Sequence, residues 1–239
     1  MKKLVIIITL LSLISCSEKE VKLPQAEVSV LKDIVDHSPI YMFFEVENEK
    51  DTIIDVNRKN SISSTNWVFN IDKRLPLKLV IPEVLKLQEK KASSSHSKKD
   101  AIDVFSYSDS IGKNLAFFPI TDVKYKLDNQ FSKFFIKKHA KKYTEYHNFT
   151  VNFNKKNEII VDGFDVERKG FVAFIKEFSD FTNDGKIIML HLNFDKNLSY
   201  DDYLKNKILA WQATNSKVQI SSFEFIYDAK QLPECGCKF

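Results

Sequence analysis

Two cysteines stand one residue apart near the C-terminus, at Cys235 and Cys237 in the stretch "PECGCKF". Such a pair can close a small, strained disulfide that is easily reduced, or it can offer two thiolates to a soft metal ion such as Cu(I). In an oxidising compartment the same disulfide can also be a passive clip. The sequence leaves these alternatives open, and they are the most specific chemistry that it offers.

Histidines and carboxylates do not form a catalytic or metal-binding pattern. The five histidines, at 37, 96, 139, 147 and 191, lack the His-x-x-x-His spacing of a helical metal site. The sequence also contains no nucleophilic-serine, Walker or dinucleotide-binding motif. Adjacent acids such as Asp201 and Asp202 are typical of helix starts, and His191 is predicted to be a structural residue of an apolar strand. We therefore predict a protein that is not an enzyme and needs no cofactor.

The N-terminal residues predict the compartment. A basic "MKK" precedes the 11-residue apolar run "LVIIITLLSLI", which is shorter than the roughly 20 residues that a bilayer span needs. The run leads into Leu13-Ile14-Ser15-Cys16, which resembles the lipobox of bacterial lipoproteins. The resemblance implies that residues 1–15 are a signal peptide and that Cys16 is lipidated and anchors the exported chain. The alternatives are an ordinary signal peptide with an incidental cysteine, or a buried N-terminal helix.

A lipidated Cys16 predicts a location in the cell envelope. We expect attachment to the outer membrane, facing the periplasm or the cell surface, with residues 16–27 as the lipidated cysteine and a polar tether. Without Lys2 and Lys3, the chain has 34 Lys and Arg against 32 Asp and Glu. This balance gives no case for nucleic-acid binding, so the predicted partners are the membrane, through the lipid, and envelope proteins or the cell wall.

Residues 28–127 are predicted to form a first module of strands and one helix. Strands are expected at 40–47, 52–56 and 66–71. Apolar residues at helical spacing between 77 and 85 predict a helix, which either begins near Pro82 or is kinked there.

Residues 128–147 are predicted to be a basic connector, rich in lysine and aromatic residues at "FSKFFIKKHAKKYTEY". Two interpretations remain open for it. It is either a short helix lying on an anionic surface, or a connector whose aromatic side chains pack on a neighbour while its lysines are solvated.

Residues 148–230 give a clearer pattern. A hairpin at 149–163 is followed by a helix with Phe171, Phe174, Ile175 and Phe178 on one stripe, and then by a strand at 186–194. Ser199 is the expected N-cap of a helix that extends to residue 212, before a last strand. This β-β-α-β-α-β order predicts an α+β fold, with residues 231–239 as a Cys-Gly-Cys tail.

One motif, Asn-apolar-Asp-Lys-x-Leu, occurs twice, at 70–75 and 193–198. Each copy lies where a strand ends and a helix follows, which predicts two related modules; the alternative is chance similarity. Asp72 and Asp195 are expected to accept backbone N–H groups of the turn, next to Lys73 and Lys196.

The second module is similar to the periplasmic domains of the ExbD and TolR family, with Asp195, Lys196 and Tyr200 at matching positions. That family has a transmembrane helix with a proton-path aspartate, which this chain lacks, so a motor role is not implied. The resemblance implies a protein-interaction module, accessory to envelope transport machinery. The expected contact surfaces are an exposed sheet edge and the helix carrying Tyr200, Tyr203 and Trp211. The alternative function is solute or metal binding, or redox activity through Cys235 and Cys237.

Overall fold

The computed structural model describes residues 19–48, 50–182 and 185–233. The predicted signal peptide, Cys16, Cys235 and Cys237 lie outside these residues. The described chain contains two β-sheets and five α-helices, and the predicted α+β class is confirmed.

The first sheet is built around the parallel pair of strands β2 and β4. Its six strands are β1 (Gln25–Ala26), β2 (His37–Glu47), β3 (Asp51–Asn57), β4 (Asn66–Ile71), β5 (Asp103–Asp109) and β6 (Asn114–Pro119). β2 pairs with β3 in a hairpin, β4 pairs in parallel with β5, and β6 pairs antiparallel with β5. Side chains alternate across each strand, so that Ile40 and Met42 are fully buried while Tyr41 between them is exposed.

The second sheet is centred on the long strand β11. Its seven strands are β7 (Lys124–Asp128), β8 (Tyr146–Phe153), β9 (Ile159–Val161), β10 (Phe164–Val166), β11 (Ile187–Asp195), β12 (Val218–Ile220) and β13 (Phe223–Tyr227). β11 pairs in parallel with β8 on one side and with β12 and then β13 on the other. The predicted last strand is therefore two strands, and β7 closes the sheet in parallel with β13.

Five α-helices connect and cover these strands. They are α1 (Leu77–Ala92), α2 (Ser132–Lys138), α3 (Ala140–Tyr143), α4 (Phe171–Phe181) and α5 (Tyr200–Gln212). α5 begins as predicted, because the Ser199 side chain accepts a hydrogen bond from the Asp202 N–H.

The two modules repeat one topology. Their shared strands run in the order β5-β4-β2-β3 in the first sheet and β13-β11-β8-β9 in the second. Helix α1 follows β4 as α5 follows β11. The second module adds α4 between its hairpin and β11, where the first has only residues 58–65. Only the second therefore follows the predicted β-β-α-β-α-β order, with β10 as an additional strand before α4 and two strands in place of the last one.

The repeated motifs contact each other across the molecule. Pro76 and Ser199, each directly after its motif, form an antiparallel bridge. Around it, the Leu77 N–H donates to the Leu198 carbonyl at 2.9 Å, and the Tyr200 N–H donates to the Leu75 carbonyl at 2.8 Å. The equivalent positions of the two modules thus exchange equivalent bonds, as a local twofold axis requires.

A second pair of bonds completes this exchange. The Lys78 N–H donates to the Lys196 carbonyl at 2.8 Å, and the Asp201 N–H donates to the Lys73 carbonyl at 3.1 Å. All four donors are first-turn N–H groups of α1 or α5, which have no partner inside their own helix. Each module therefore caps the helix of the other.

This capping overturns one expectation about α1. Of the two alternatives, a helix start near Pro82 is wrong, because α1 begins at Leu77 and continues through Pro82. Pro82 lies early in the helix and removes a single backbone donor. The carbonyls of the other module stabilise the turn before it.

The modules share one hydrophobic core, which extends from Ile40 of the first sheet to Ile226 of the second. Phe105 of β5 lies at the contact, with its ring centroid 5.4 Å from Tyr200 and 6.2 Å from Tyr203. The two modules therefore pack directly against each other and are not joined by a linker alone.

Two predicted boundaries do not coincide with structural ones. β7 belongs to the first module by the predicted limit at residue 127, but it pairs with β13 of the second sheet. The predicted tether is also structured from Lys19 onward, since β1 pairs in parallel with β5.

We expect Phe105→Ala to lower the free energy of unfolding by about 3–5 kcal/mol, because the ring is fully buried between the modules. Urea denaturation measures the change. Ile111→Ala is the control, since Ile111 is 70% exposed and its truncation should change stability by less than about 0.5 kcal/mol. Equal effects of the two substitutions would contradict a shared core.

Candidate functional site

The motif aspartates organise their own turns. The buried Asp72 carboxylate accepts the Arg74 N–H at 3.0 Å, two bonds from the Arg74 side chain, each at 2.8 Å, and the Lys22 N–H at 3.1 Å. Burial by itself would raise the pKa of Asp72, but these hydrogen bonds outweigh it and lower the pKa. Asp195 likewise accepts the Asn197 N–H at 2.8 Å. Both carboxylates therefore stabilise their turns by accepting hydrogen bonds from backbone N–H groups.

The motif lysines contribute mainly through their backbone, as donors and acceptors of the junction. The Lys196 side chain also pairs with Asp228 at 2.6 Å, and this hydrogen bond raises the pKa of Lys196. Asp72, Lys73, Asp195 and Lys196 thus lie at one junction, where each aspartate holds its own turn and each lysine carbonyl accepts an N–H group from the helix of the other module.

Helix α5 offers less surface than the sequence suggested. Tyr200 and Tyr203 are fully buried and contact Phe105 of the first module, whereas Trp211 is 37% exposed. Of these three residues, only Trp211 is accessible to a partner.

A buried polar cluster joins α5 to the second sheet. Lys207 of α5 donates to the Glu224 carboxylate of β13, and each side chain is 2% exposed. The Tyr203 hydroxyl donates to the other Glu224 oxygen at 2.7 Å and lies 3.2 Å from the Tyr125 hydroxyl. The charges thus compensate each other inside the core.

Burial dominates the electrostatics of this cluster. It lowers the pKa of Lys207, although Glu224 partly offsets the effect, and it raises the pKa of Tyr125 and Tyr203 well above the ordinary value. The Lys207 ammonium lies 5.1 Å from the Phe118 ring centroid, within cation–π range.

A cavity of about 230 Å³ adjoins the ion pair, with Phe118, Val123, Leu192 and Ile220 among its lining residues. Small-molecule sites usually have about 300–1,000 Å³. The cavity is below that range, and the Lys207 and Glu224 side chains beside it already bind each other.

The Lys207–Glu224 pair was not predicted from the sequence, although the sequence pattern contains a signal for it. Lys207 occupies the apolar face of its helix, between Tyr203 and Ile208. Glu224 lies on the same face of β13 as the buried Ile226, which comes two residues later. Because burying an unpaired charge is costly, a lysine and a glutamate that both lie at core positions are expected to form an ion pair.

His191 is structural, lying buried on the face of β11 that α2 and α3 cover. Its Nε2 lies 2.9 Å from Asn148 Oδ1, and Nε2 donates because the Asn148 amide nitrogen already donates to the Tyr143 and Tyr146 carbonyls. Burial lowers the pKa of His191 to about 4.

The basic connector forms α2 and α3, which pack on the outer face of the second sheet. Phe131 is buried, and Phe135 packs on Phe223 with ring centroids 4.9 Å apart. The aromatic side chains therefore face the protein, and Lys137 and Lys138 are exposed on the other side. This arrangement matches the connector interpretation.

Within the described residues, no three or more His, Cys, Asp or Glu side chains are grouped closely enough to hold a metal ion. In the same part of the chain, no helix has the length and apolar character that crossing a bilayer requires. Comparisons with protein-family models, curated proteins and solved structures found no match. The resemblance to ExbD and TolR stays a prediction.

We expect Lys207→Met to destabilise the protein by about 3–5 kcal/mol, because it leaves the Glu224 charge buried without a cation. Adding Glu224→Gln removes that charge and keeps an acceptor for Tyr203, so the double variant should recover most of the loss. Urea denaturation of both single variants and the double variant measures the coupling energy. Additive effects of the two substitutions would contradict a direct pair.

The stability of the protein should fall on acidification between pH 6.5 and 4 because of His191. The folded pKa of about 4 lies below the unfolded value of about 6.5, so the unfolded chain binds the proton first. Across this pH range, the pKa shift of His191 corresponds to a loss of about 3 kcal/mol in the free energy of unfolding. Between pH 7 and pH 4, the free energy of unfolding of His191→Gln should fall by correspondingly less than that of the parent. Urea denaturation at the two pH values measures both changes. The exposed His96, changed to Gln, is the matched control and should leave the pH dependence unchanged.

Proposed function

We propose that this chain is a non-enzymatic lipoprotein, anchored in the cell envelope through Cys16, that binds a partner protein by strand addition. The role is that of an accessory to envelope transport machinery. The Leu13-Ile14-Ser15-Cys16 stretch supports the anchor. The observation that carries the binding mode is the free edge of β3.

Strand β3 is seven residues long, and β2 pairs with one side of it only, from Tyr41–Asn57 to Glu47–Asp51. Within the described chain, no strand pairs with its other side. An unpaired edge presents a row of backbone donors and acceptors that an extended peptide can complete. Ile53, which is 36% exposed, provides an apolar side chain beside this row.

The other sheet edges are shorter or partly covered. β10 has three residues and β7 has five. On β6, Phe117 exchanges two backbone hydrogen bonds with Leu31, at 2.9 and 3.1 Å. The β3 edge of the first module is therefore the better site for strand addition, whereas the contact surfaces predicted from the sequence lie in the second module.

The alternative function, solute or metal binding, has weaker support. The cavity beside Lys207 and Glu224 is small, and the described modules share a packed core. A larger groove of about 1040 Å³ beside Lys19 is lined mostly by charged and polar side chains, whereas small-molecule sites are lined mostly by apolar ones. Redox activity through Cys235 and Cys237 concerns residues outside the described part of the chain and stays a hypothesis.

We expect a photo-crosslinking residue placed at Thr52 to capture an envelope protein in intact cells. Ile53→Lys should abolish the crosslink, because a charge on the edge opposes strand addition. Ile111→Lys is the matched control, since Ile111 is 70% exposed and lies in the turn between β5 and β6. The crosslink should persist in that variant.

The anchor is tested in the same cells by fractionation. Cys16→Ala should release the protein from the membrane fraction and leave its fold intact. An unchanged membrane fraction would refute the anchor, and a crosslink that survives Ile53→Lys would refute edge binding.

A further inference from the structure

The segment predicted to be a polar tether contacts the first module from Lys19 onward. The Lys19 ammonium binds Glu45 of β2 at 2.5 Å and Asp55 of β3 at 2.6 Å. Three residues later, the Lys22 N–H donates to the Asp72 carboxylate at 3.1 Å, and the Lys22 carbonyl accepts the Lys73 N–H at 2.8 Å. The segment is therefore attached to the body from Lys19 onward.

This attachment limits the distance between the body and the lipid. Cys16 precedes Lys19 by three residues, and three extended residues span at most about 11 Å. If Cys16 is acylated, the site where Lys19 meets Glu45 and Asp55 lies within roughly that distance of the lipid headgroups. The body then has a preferred face toward the membrane.

The surface around Lys19 is basic. A groove of about 1040 Å³ is lined by Lys19, Phe43 and Asp55, together with the cations Arg58, Lys59 and Lys90. Lys19 offsets one of the two negative charges of Glu45 and Asp55, and within the described residues no carboxylate forms a salt bridge with Arg58, Lys59 or Lys90. Lys19, Arg58, Lys59 and Lys90 therefore outnumber these two carboxylates by two charges. These three side chains are exposed. The surface thus carries uncompensated positive charge where the chain approaches its predicted lipid.

We propose that the surface formed by Arg58, Lys59 and Lys90 around the docked Lys19 is the membrane-facing side of the protein and binds anionic lipid headgroups. The proposal rests on the proposed acylation of Cys16. The charge complements phosphate, and a basic surface strengthens the attachment of an acylated protein to an anionic bilayer. The lipid and the docked segment together orient the first module.

The test compares lysine accessibility on and off a membrane. Native protein purified from membranes is inserted into preformed vesicles of phosphatidylethanolamine and phosphatidylglycerol and treated with a membrane-impermeant amine reagent. Mass spectrometry then measures the labelling of each lysine relative to protein in detergent. We expect several-fold protection of Lys59 and Lys90. Lys137, Lys138 and Lys141, exposed on α2 and α3, are the internal control and should be labelled equally in both states.

Matched charge variants locate the effect. Arg58→Glu with Lys59→Glu should remove the protection of Lys90, whereas Lys137→Glu with Lys138→Glu should leave it unchanged. Equal labelling of Lys59 and Lys90 in vesicles and detergent, in protein that floats with the vesicles, would overturn the proposed orientation. Protection of the α2–α3 lysines instead would also overturn it. Equal protection on phosphatidylcholine vesicles would refute the role of anionic charge.

Failure of the anchor gives a different result. Protein without an acyl chain would not float with the vesicles, and its intact mass would show an unmodified N-terminus. That outcome would refute the proposed function, and with it the membrane orientation, before any labelling is compared.

Discussion

The reciprocal capping of α1 and α5 is the contact on which the architecture depends. The first N–H groups of a helix have no partner within the helix, and leaving them buried and unbonded is costly. Here the turn after β4 supplies carbonyls to α5, and the turn after β11 supplies carbonyls to α1. Neither helix start is complete without the other module. The repeated Asp-Lys turn is thus the surface through which the two halves recognise each other.

Asp72 links this junction to the N-terminal segment. Its carboxylate holds the turn of its own motif through Arg74, and it also accepts the Lys22 N–H of the segment that leads back to Cys16. A single buried carboxylate therefore connects the module junction to the predicted membrane anchor. This connection is the structural basis of the proposed orientation of the body at the membrane.

Buried charge has a second structural role in both modules. Lys207 pairs with Glu224 between α5 and β13, and Lys91 pairs with Asp103 at 2.6 Å between α1 and β5. Such pairs contribute little net stability compared with apolar residues of similar size, but breaking one is expensive. Each pair therefore fixes the helix on its sheet more than it strengthens the core.

The sequence by itself determined the α+β class, most strand and helix positions, the Ser199 cap and the repeat of Asp72 and Asp195. These features depend on side-chain periodicity and on hydrogen bonds between residues a few positions apart. Only the tertiary structure decided that α1 begins at Leu77, that β7 joins the second sheet, and that the segment from Lys19 is docked. Each of these is determined by a partner far away in the chain, such as the Leu198 carbonyl that caps α1. Backbone groups of this kind are the same in every residue, so no local pattern marks which distant carbonyl a donor will find.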